Sequence, residues 1–272
     1  MSRLVAGTGV RLPVLLYHHV GPFRSGAHAS LTVSPAKFER QIRWLARSGF
    51  SGLSSTQLMD WLRKRSPLPP RPVVVTFDDG YADLARFALP VLRRYGFGAI
   101  VFVVSGQIGK TNAWDEAKGS TAHRLLSADQ VREWAANGIE FGAHGRTHVD
   151  LTHGSTNLIE EVERSAADLE RLLGYRTRSF AYPFGSVNET ALKEVAQTYD
   201  LAFTARPGVN TVDTNPHLLR RTMVQPSDNL LDLLLRLLTG ASPLDSVRKS
   251  VRLRTRMRKV QQSLQRRSPS NR

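Results

Sequence analysis

The 272-residue chain contains no cysteine. This absence excludes disulfide bonds, a thiolate nucleophile and any zinc site built on cysteine sulfur, which leaves histidine and aspartate as the available metal ligands. It does not fix the compartment, because it fits both cytoplasmic proteins and many secreted bacterial enzymes. A chain of this length lies within the range of one α/β barrel domain and can bury a large core.

Long apolar runs are also lacking. No stretch approaches about 18 consecutive apolar residues, so we expect no transmembrane helix. Residues 1–12 hold two arginines and a glycine-rich turn but no apolar run of signal-peptide length followed by a small-residue cleavage site. We therefore expect neither a membrane span nor a signal peptide. This favours a cytoplasmic protein and leaves peripheral contact with a membrane open.

Acidic residues are few, at 23 against 38 lysines and arginines, and the formal net charge is +15. Residues 241–272 supply +9 of that charge, with ten Lys or Arg and one acid, Asp245. This segment has the pattern of a basic amphipathic helix, which could lie on an anionic membrane surface. A solvated tail is the alternative, nucleic acid is an unlikely partner, and we expect the extreme end to be disordered. The apolar residues at helical spacing are Leu253, Met257, Val260 and Leu264.

Strand-like and helix-like segments alternate along the rest of the chain, which predicts a largely parallel α/β architecture. Seven strand-like runs fit a barrel. We therefore predict a distorted (β/α)7 barrel over residues 1–240, followed by a C-terminal helical basic extension over residues 241–272. The predicted strands are Pro13 to His18, Val73 to Asp78, Ala99 to Val104, Ile139 to His144, Ser179 to Pro183, Leu201 to Ala205 and Leu219 to Val224.

Helix starts are also readable. The runs Ser54 to Gln57 and Ser127 to Gln130 are predicted capping boxes, and Ser34 precedes a first-turn proline. Residues Asn229 to Gly240 are apolar nearly all round, so we expect this helix to be buried against the barrel or a partner.

Two short motifs carry chemistry. Asp78 and Asp79 follow an apolar strand and leave its end in different directions, so they can hold different roles. His144 and His148 follow a second strand. Each motif alone is weak, because Asp-Gly is ordinary turn chemistry and a histidine pair is often a solvated or capping pair. Together they supply a carboxylate and two imidazoles for a metal, with a second aspartate free to act as a base.

The ordered motifs Thr76 to Gly80, His144 to His148 and Phe180 to Gly185 resemble those of the polysaccharide deacetylases with a NodB-homology domain, carbohydrate esterase family four. The likeness spans roughly residues 12–225. It implies a metal-dependent hydrolase with a distorted barrel.

In that family the second aspartate and both histidines bind a divalent metal, usually zinc, and the first aspartate is the general base. The resemblance therefore implies that Asp79, His144 and His148 are metal ligands and that Asp78 is the base. The Tyr17-His18 pair resembles the subgroup that includes poly-N-acetylglucosamine deacetylases of biofilm operons, which implies that His18 is the catalytic acid.

This chain departs from the commoner family pattern at Ala181, near the place where an arginine usually orients the base. In the N-terminal-histidine subgroup a late strand supplies the arginine, and Leu218 to Val224 resembles that strand. We favour Arg221 over Arg220 for this role. A guanidinium beside Asp78 would lower the pKa of that carboxyl group.

Four further residues are candidates around the reacting groups. The resemblance implies that the backbone N–H of Phe184 contributes to the oxyanion site, and it makes Tyr17 and Tyr182 candidate substrate contacts. Trp114 lies in a polar loop, where its ring could stack on a sugar or cover a helix end.

Five histidines have no partner at a compelling spacing. We interpret them as surface residues or satisfied core residues, and expect His19 to be structural because it follows His18 on the opposite face of the strand. They are His19, His28, His123, His153 and His217.

The function expected is removal of N-acetyl groups from an acetylhexosamine-containing polysaccharide, such as an exopolysaccharide, or from a glycan intermediate. The metal would polarise the acetyl carbonyl and activate water, Asp78 would remove a proton from that water, and His18 would protonate the departing nitrogen. An O-acetyl (xylan-type) esterase and a noncatalytic glycan-binding barrel remain alternatives, as does a membrane or nucleic-acid binding role centred on the basic tail.

Overall fold

A computed structural model describes residues 9–22, 26–117, 119 and 121–242. The predicted extension over residues 241–272 therefore lies almost wholly outside the described residues. Within those residues the strands are β1 Leu12–Tyr17, β2 His19–Val20, β3 Thr32–Val33, β4 Ser51–Gly52, β5 Pro72–Phe77, β6 Ile100–Val103, β7 Glu140–Ala143, β8 Ser179–Ala181, β9 Leu201–Phe203, β10 Val209–Asn210 and β11 Thr222–Met223.

The helices of the same residues alternate with these strands. They are α1 Pro35–Arg47, α2 Ser55–Leu62, α3 Asp83–Phe87, α4 Leu89–Arg94, α5 Ala113–Glu116, α6 Ala128–Ala136, α7 Arg164–Leu173, α8 Glu189–Thr198 and α9 Leu230–Thr239. Short 3₁₀ turns cover Gly26–Ser30, Ser105–Gln107 and Pro183–Gly185, and Ile159–Glu163 forms a π-helical turn leading into α7. None of these helices is long and apolar enough to cross a membrane.

The main sheet is parallel and curls in the order β1-β5-β6-β7-β8-β9. Its two ends are joined by the segment Leu219–Met223. Leu219 bridges Phe203 at the end of β9, and Thr222 in β11 pairs with Leu15 in β1, both in parallel. The result is the predicted distorted barrel, and each of the seven predicted strand runs contributes to it. β10 adds an antiparallel strand beside β1.

Strand parity divides the core into two layers. Along β5, Val73, Val75 and Phe77 pack outward among the helices, whereas Val74 faces the barrel interior with Phe102 and other strand residues. Both faces are apolar, as expected for parallel strands covered by helices. Side chains that continue the inward alternation beyond the end of a strand therefore point into the end of the barrel, and those at outward positions pack beneath the helices.

Two of the helix starts are capped as predicted. Ser54 and Gln57 form a reciprocal capping box at α2, and Ser127 and Gln130 form another at α6. The N-cap Ser34 of α1 precedes Pro35 without a side-chain capping bond.

The leucine-rich helix α9 is buried only in part among the described residues. Leu233 and Leu237 are buried, but Leu231 and Leu238 are more than half exposed. Among the described residues, one side of the helix packs against β1 and β10 on the outside of the barrel. That side also holds Arg236, whose guanidinium donates to both carboxylate oxygens of Asp228 at 2.6 and 3.0 Å.

Candidate functional site

The carboxyl ends of the parallel strands bring the predicted metal ligands together. Asp79 lies two residues beyond β5, His144 directly follows β7, and His148 lies in the loop after it. Asp79 Oδ1 is 3.2 Å from His148 Nε2 and 3.5 Å from His144 Nε2. All three side chains are buried, and one candidate ligand atom from each lies within 4.8 Å of the others.

The tautomer of His144 suits metal binding. Its Nδ1 lies 2.7 Å from the carbonyl oxygen of Ala181, to which it can donate, and this leaves the Nε2 lone pair directed at Asp79. Burial lowers the pKa of His144 to about 4 and keeps the ring neutral, which is the form that binds a cation. Burial raises the pKa of Asp79, but the hydrogen bond to His148 and the neighbouring histidines outweigh it and hold the pKa below its usual value, so that carboxyl group stays ionised.

Three site residues have left-handed backbone conformations. The φ angles are +70° at Asp79, +64° at His148 and +59° at Phe184. Such values are uncommon for residues with a β-carbon and cost about 1–3 kcal/mol each, so the surrounding contacts must hold them. The turns they form aim the side chains of Asp79 and His148 back across the end of the barrel.

Glu161, which the sequence analysis missed, holds the loop between the two histidines. Its buried carboxylate accepts hydrogen bonds from the backbone N–H groups of Arg146 and Thr147 at 2.8 and 3.0 Å, and from the Thr147 hydroxyl at 2.5 Å. A β-carbon at Gly145 would lie 2.9 Å from Glu161 Oε2, so the close approach requires glycine. Glu161 lies in the π-helical turn, and no sequence signal reveals that turn in advance.

Arg221 faces Asp78. Its Nη1 and Nη2 donate to Asp78 Oδ1 and Oδ2 at 2.6 and 2.7 Å, and its Nε donates to the carbonyl oxygen of Thr204 at 2.9 Å. The guanidinium is buried above the rings of Phe102 and Phe203. Arg220, by contrast, is directed to the carbonyl oxygen of Pro207 at 3.4 Å.

This ion pair sets the charge state of Asp78. Burial raises the pKa of the carboxyl group, while Arg221 and then His144 lower it, and the net pKa lies below the usual value. Asp78 is therefore ionised at neutral pH. Ala181, where the commoner family pattern has an arginine, instead supplies the carbonyl oxygen that accepts from His144.

His18 lies close enough to Asp78 and Asp79 for their charges to affect its pKa. Burial lowers the pKa of this histidine, while Asp79 and Asp78 raise it and Arg221 lowers it, with a net decrease. The side chain is only partly buried, because it follows the last residue of β1 at the open end of the barrel.

Two aromatic residues flank the metal ligands. The Trp114 ring stacks on the His148 ring with 4.6 Å between centroids. Phe184 contacts His148 in an edge-to-face arrangement with 4.7 Å between centroids, and this residue is 52% exposed. Both rings therefore border the opening above the three ligands, where a sugar could contact them.

Tyr17 and Tyr182 do not reach this opening, so the expectation that they contact substrate does not fit the structure. Both are outward-facing strand positions covered by helices, and both are fully buried. The Tyr17 hydroxyl donates to Gln41 Oε1, and the Tyr182 hydroxyl donates to the carbonyl oxygen of His217. Strand parity separates them from their neighbours His18 and Ala181, which face inward.

A family model described as polysaccharide deacetylase matches residues 65–202 of the chain. A candidate polysaccharide deacetylase of Bacillus subtilis is 30% identical over 219 residues, which is 79% of this chain and 72% of that protein. A poly-beta-1,6-N-acetyl-D-glucosamine N-deacetylase of Staphylococcus aureus is 24% identical over 218 residues, covering 75% and 71%.

Among solved structures, a Streptococcus pyogenes deacetylase in complex with acetate superposes with a TM-score of 0.72 at 26% identity. The match covers 84% of this chain and 98% of that one. The region matched by the family model contains Asp78, Asp79, His144 and His148, whereas His18 and Arg221 lie outside it.

Proposed function

Because the chain belongs to the polysaccharide deacetylase family, we propose that it hydrolyses N-acetyl groups of an acetylhexosamine-containing polysaccharide or glycan intermediate. The observation that carries this proposal is the Asp78–Arg221 ion pair beside the cluster of Asp79, His144 and His148. An ionised base held next to a candidate cation site is the arrangement that hydrolysis by activated water requires.

The three clustered side chains fit a divalent metal, most simply zinc. One carboxylate and two neutral imidazoles form a donor set typical of catalytic zinc sites that keep a position open. The Ala181 carbonyl oxygen fixes the His144 ring in the tautomer that presents a lone pair. When bound, the cation would polarise the acetyl carbonyl and make water a stronger acid.

Asp78 would act as the general base. Arg221 holds both carboxylate oxygens, which fixes the orientation of the side chain and keeps it ionised. In that state it accepts the proton that water loses on attacking the acetyl carbon. The main chain at Phe184, in its left-handed turn, would contribute an N–H to the developing oxyanion.

His18 would act as the general acid. Its imidazole lies near both aspartates, whose charges raise its pKa against the effect of burial, and in its protonated form it would give a proton to the departing amine nitrogen. An amide needs this proton more than an ester does, because an amine leaves poorly without it. A histidine near the reacting groups therefore favours N-acetyl over O-acetyl substrates, and the name of the Staphylococcus aureus relative agrees with that preference.

Acetate release tests the proposal. We expect zinc-loaded protein to release acetate from N-acetylated β-1,6-glucosamine oligomers or chitooligosaccharides faster than from acetylated xylan, and chelation to abolish release until zinc is restored. Asp78→Asn should lower kcat by about 100-fold or more, as expected for loss of a general base.

Asp129→Asn provides the control, because that carboxylate is exposed on α6. Faster turnover of acetylated xylan would favour an O-acetyl esterase. If the wild-type protein bound glycan but released no acetate from any of these substrates, a noncatalytic glycan-binding barrel would be the better interpretation. Unchanged release by a folded Asp78→Asn variant would show instead that Asp78 is not the base.

A further inference from the structure

A second group of histidines converges beside the deacetylase site. His19 lies in β2, His28 in the 3₁₀ turn Gly26–Ser30, and His123 in the loop before α6. A candidate ligand nitrogen from each lies within 4.8 Å of the others. His19 Nε2 and His28 Nδ1 are 3.1 Å apart, and the His123 ring centroid is 4.3 Å from that of His28. His19 and His28 are buried, and His123 is partly buried.

The remaining ring nitrogens of the buried pair lie near carboxylates. His19 Nδ1 is 2.9 Å from Asp83 Oδ2, and His28 Nε2 is 3.7 Å from Asp115 Oδ2. Histidines that bind metals commonly direct one nitrogen at the ion and donate the other N–H to a carboxylate or carbonyl group, which fixes the tautomer. His19 has this arrangement, and its Nε2 faces Nδ1 of His28. The Nε2 atom of His28 lies 3.5 Å from Asn112 Nδ2 as well as 3.7 Å from Asp115 Oδ2.

The spacing of the facing nitrogens fits a shared ion. Two nitrogens bound tetrahedrally to zinc at about 2.0–2.1 Å lie roughly 3.3 Å apart. A hydrogen bond between the rings would give a similar distance, but it would place the only proton of a neutral His28 on Nδ1. The Nε2 lone pair of His28 could then accept from Asn112 Nδ2 at 3.5 Å, so the spacing of this pair also fits a hydrogen bond. The third imidazole favours an ion, because a ligand nitrogen of His123 lies within 4.8 Å of the other two. A cation among the rings leaves an N–H on His19 Nδ1, which is directed at Asp83.

We propose that His19, His28 and His123 bind a second divalent transition-metal ion, of the zinc class, separate from the ion at Asp79, His144 and His148. Three neutral imidazoles are a common donor set for such ions, and water or a nearby carboxylate can complete the shell.

The second ion would have a structural role that extends to the catalytic site. It would join the start of the barrel to the Trp114 loop, which comprises residues 109–117, 119 and 121–126 and carries both Trp114 and His123. The backbone of this loop is already paired through Thr111 and Arg124, and His123 N donates to Asn112 Oδ1 at 2.6 Å.

The cluster also contacts the segment that carries Asp79. Tyr81, which lies two residues after Asp79, stacks on His19 with 3.5 Å between ring centroids. Fixing the loop would hold Trp114 against His148.

Zinc content of the full chain tests this proposal. After loading with zinc and removal of free metal, we expect two equivalents per chain by inductively coupled plasma mass spectrometry. His28→Gln and His144→Gln should each retain one equivalent, and the double variant should retain none. His153→Gln removes an exposed histidine outside both clusters, so it should keep two.

Activity provides a second readout. His123→Gln, at the less buried edge of the cluster, should also lose one equivalent and should raise KM for an acetylated oligosaccharide more than it lowers kcat, because the Trp114 loop is loosened. Circular dichroism establishes that each variant is folded, and His123→Gln remains informative if His28→Gln does not fold.

Anomalous scattering at the zinc edge from crystals of the wild-type protein needs no variant. We expect one peak among His19, His28 and His123, distinct from the peak at the deacetylase site. A wild type that saturates at one equivalent, with that equivalent kept in His28→Gln and lost in His144→Gln, would overturn the second site. The cluster would then be a hydrogen-bonded histidine network, and the proposed catalytic metal would be unaffected.

Discussion

At the scale of single residues, the Asp78–Arg221 pair predicts a pH effect. Arg221→Lys keeps the positive charge but loses the two-pronged hydrogen bond that lowers the pKa of Asp78. With weaker stabilisation of the ionised form, the pKa rises and the base is protonated at a higher pH. We expect the acid limb of the kcat/KM profile to move to higher pH, and kcat/KM at neutral pH to fall about 10- to 100-fold.

Arg220→Lys is the matched control, because its side chain contacts the Pro207 carbonyl oxygen instead of Asp78. Its profile should coincide with that of the wild type. An Arg221→Lys profile with an unmoved acid limb would show that Arg221 does not control the ionisation of the base.

The position of Trp114 beside His148 predicts that this residue affects substrate affinity. Its ring stacks on His148 at the border of the opening, where it can also contact the apolar face of a sugar. Trp114→Ala should raise KM about three- to tenfold with a smaller change in kcat, and Trp114→Phe should recover much of the loss because it retains a ring. Steady-state kinetics on an acetylated oligosaccharide measure both. Equal losses for the two variants would argue against ring stacking.

At the scale of elements, the π-helical turn Ile159–Glu163 positions the loop that carries His148. Glu161→Ala removes the acceptor for three donors of that loop, so the left-handed conformation of His148 loses its support. We expect the free zinc concentration for half-maximal activity to rise about 10- to 100-fold, as for other residues that orient metal ligands.

The adjacent Glu160 is the control for this change. Its carboxylate contacts the side chains of Arg146 and Arg164 but no backbone N–H of the loop. Glu160→Ala should leave the zinc dependence nearly unchanged. Similar shifts in both variants would mean that general charge near the site, instead of support of the loop, sets zinc affinity.

The helix caps predict a stability difference. Ser127 accepts from the backbone N–H of Gln130 at the start of α6, and Ser127→Ala should lower the free energy of unfolding by about 1 kcal/mol. For a chain of this size that corresponds to a decrease of roughly 2–4 °C in Tm. Ser34→Ala changes an N-cap without a side-chain bond and should have less effect. Thermal melts that rank the two variants in the opposite order would contradict this interpretation of the caps.

At the scale of the whole molecule, most of the net positive charge lies in residues 243–272, beyond the barrel. Removing residues 243–272 leaves +6 of the formal +15. If the basic segment associates with membranes, the shortened chain should sediment less with vesicles containing anionic lipid, and high salt should release the full chain. Activity on soluble oligosaccharides should be retained, because the described barrel and site lie within residues 9–242. Equal sedimentation of both chains at low salt would exclude this role for the segment.

Much of the architecture could be predicted because local patterns and the fold agree. The apolar run Val73 to Phe77 is buried on both faces, which is what a parallel strand beneath helices requires. The same run places Asp78 and Asp79 at the end of the barrel. Leu231 and Leu238 show the limit of prediction from the sequence, because a leucine-rich pattern does not reveal which side of a surface helix is left exposed.

The parts of the site that escaped prediction depend on contacts between distant segments. Glu161 reaches the His148 loop only because a π-helical turn places it there. His19, His28 and His123 are widely separated along the chain, so no spacing rule connects them. The resemblance alone did not reveal that Tyr17 and Tyr182 are buried, because side chains alternate along a strand and these two lie on the face opposite to His18 and Ala181.

The joining of β9 to β1 through Leu219–Met223 has a consequence for biosynthesis. Arg221 lies in this segment, which closes the barrel. A ribosome-bound chain from which Leu219–Met223 has not yet emerged would contain every other proposed reacting group, but its Asp78 would lack the ion pair with Arg221. The base would therefore be held in its ionised form only after the barrel has closed, and translation products that end before Arg221 would hydrolyse acetylated sugars more slowly than the full chain.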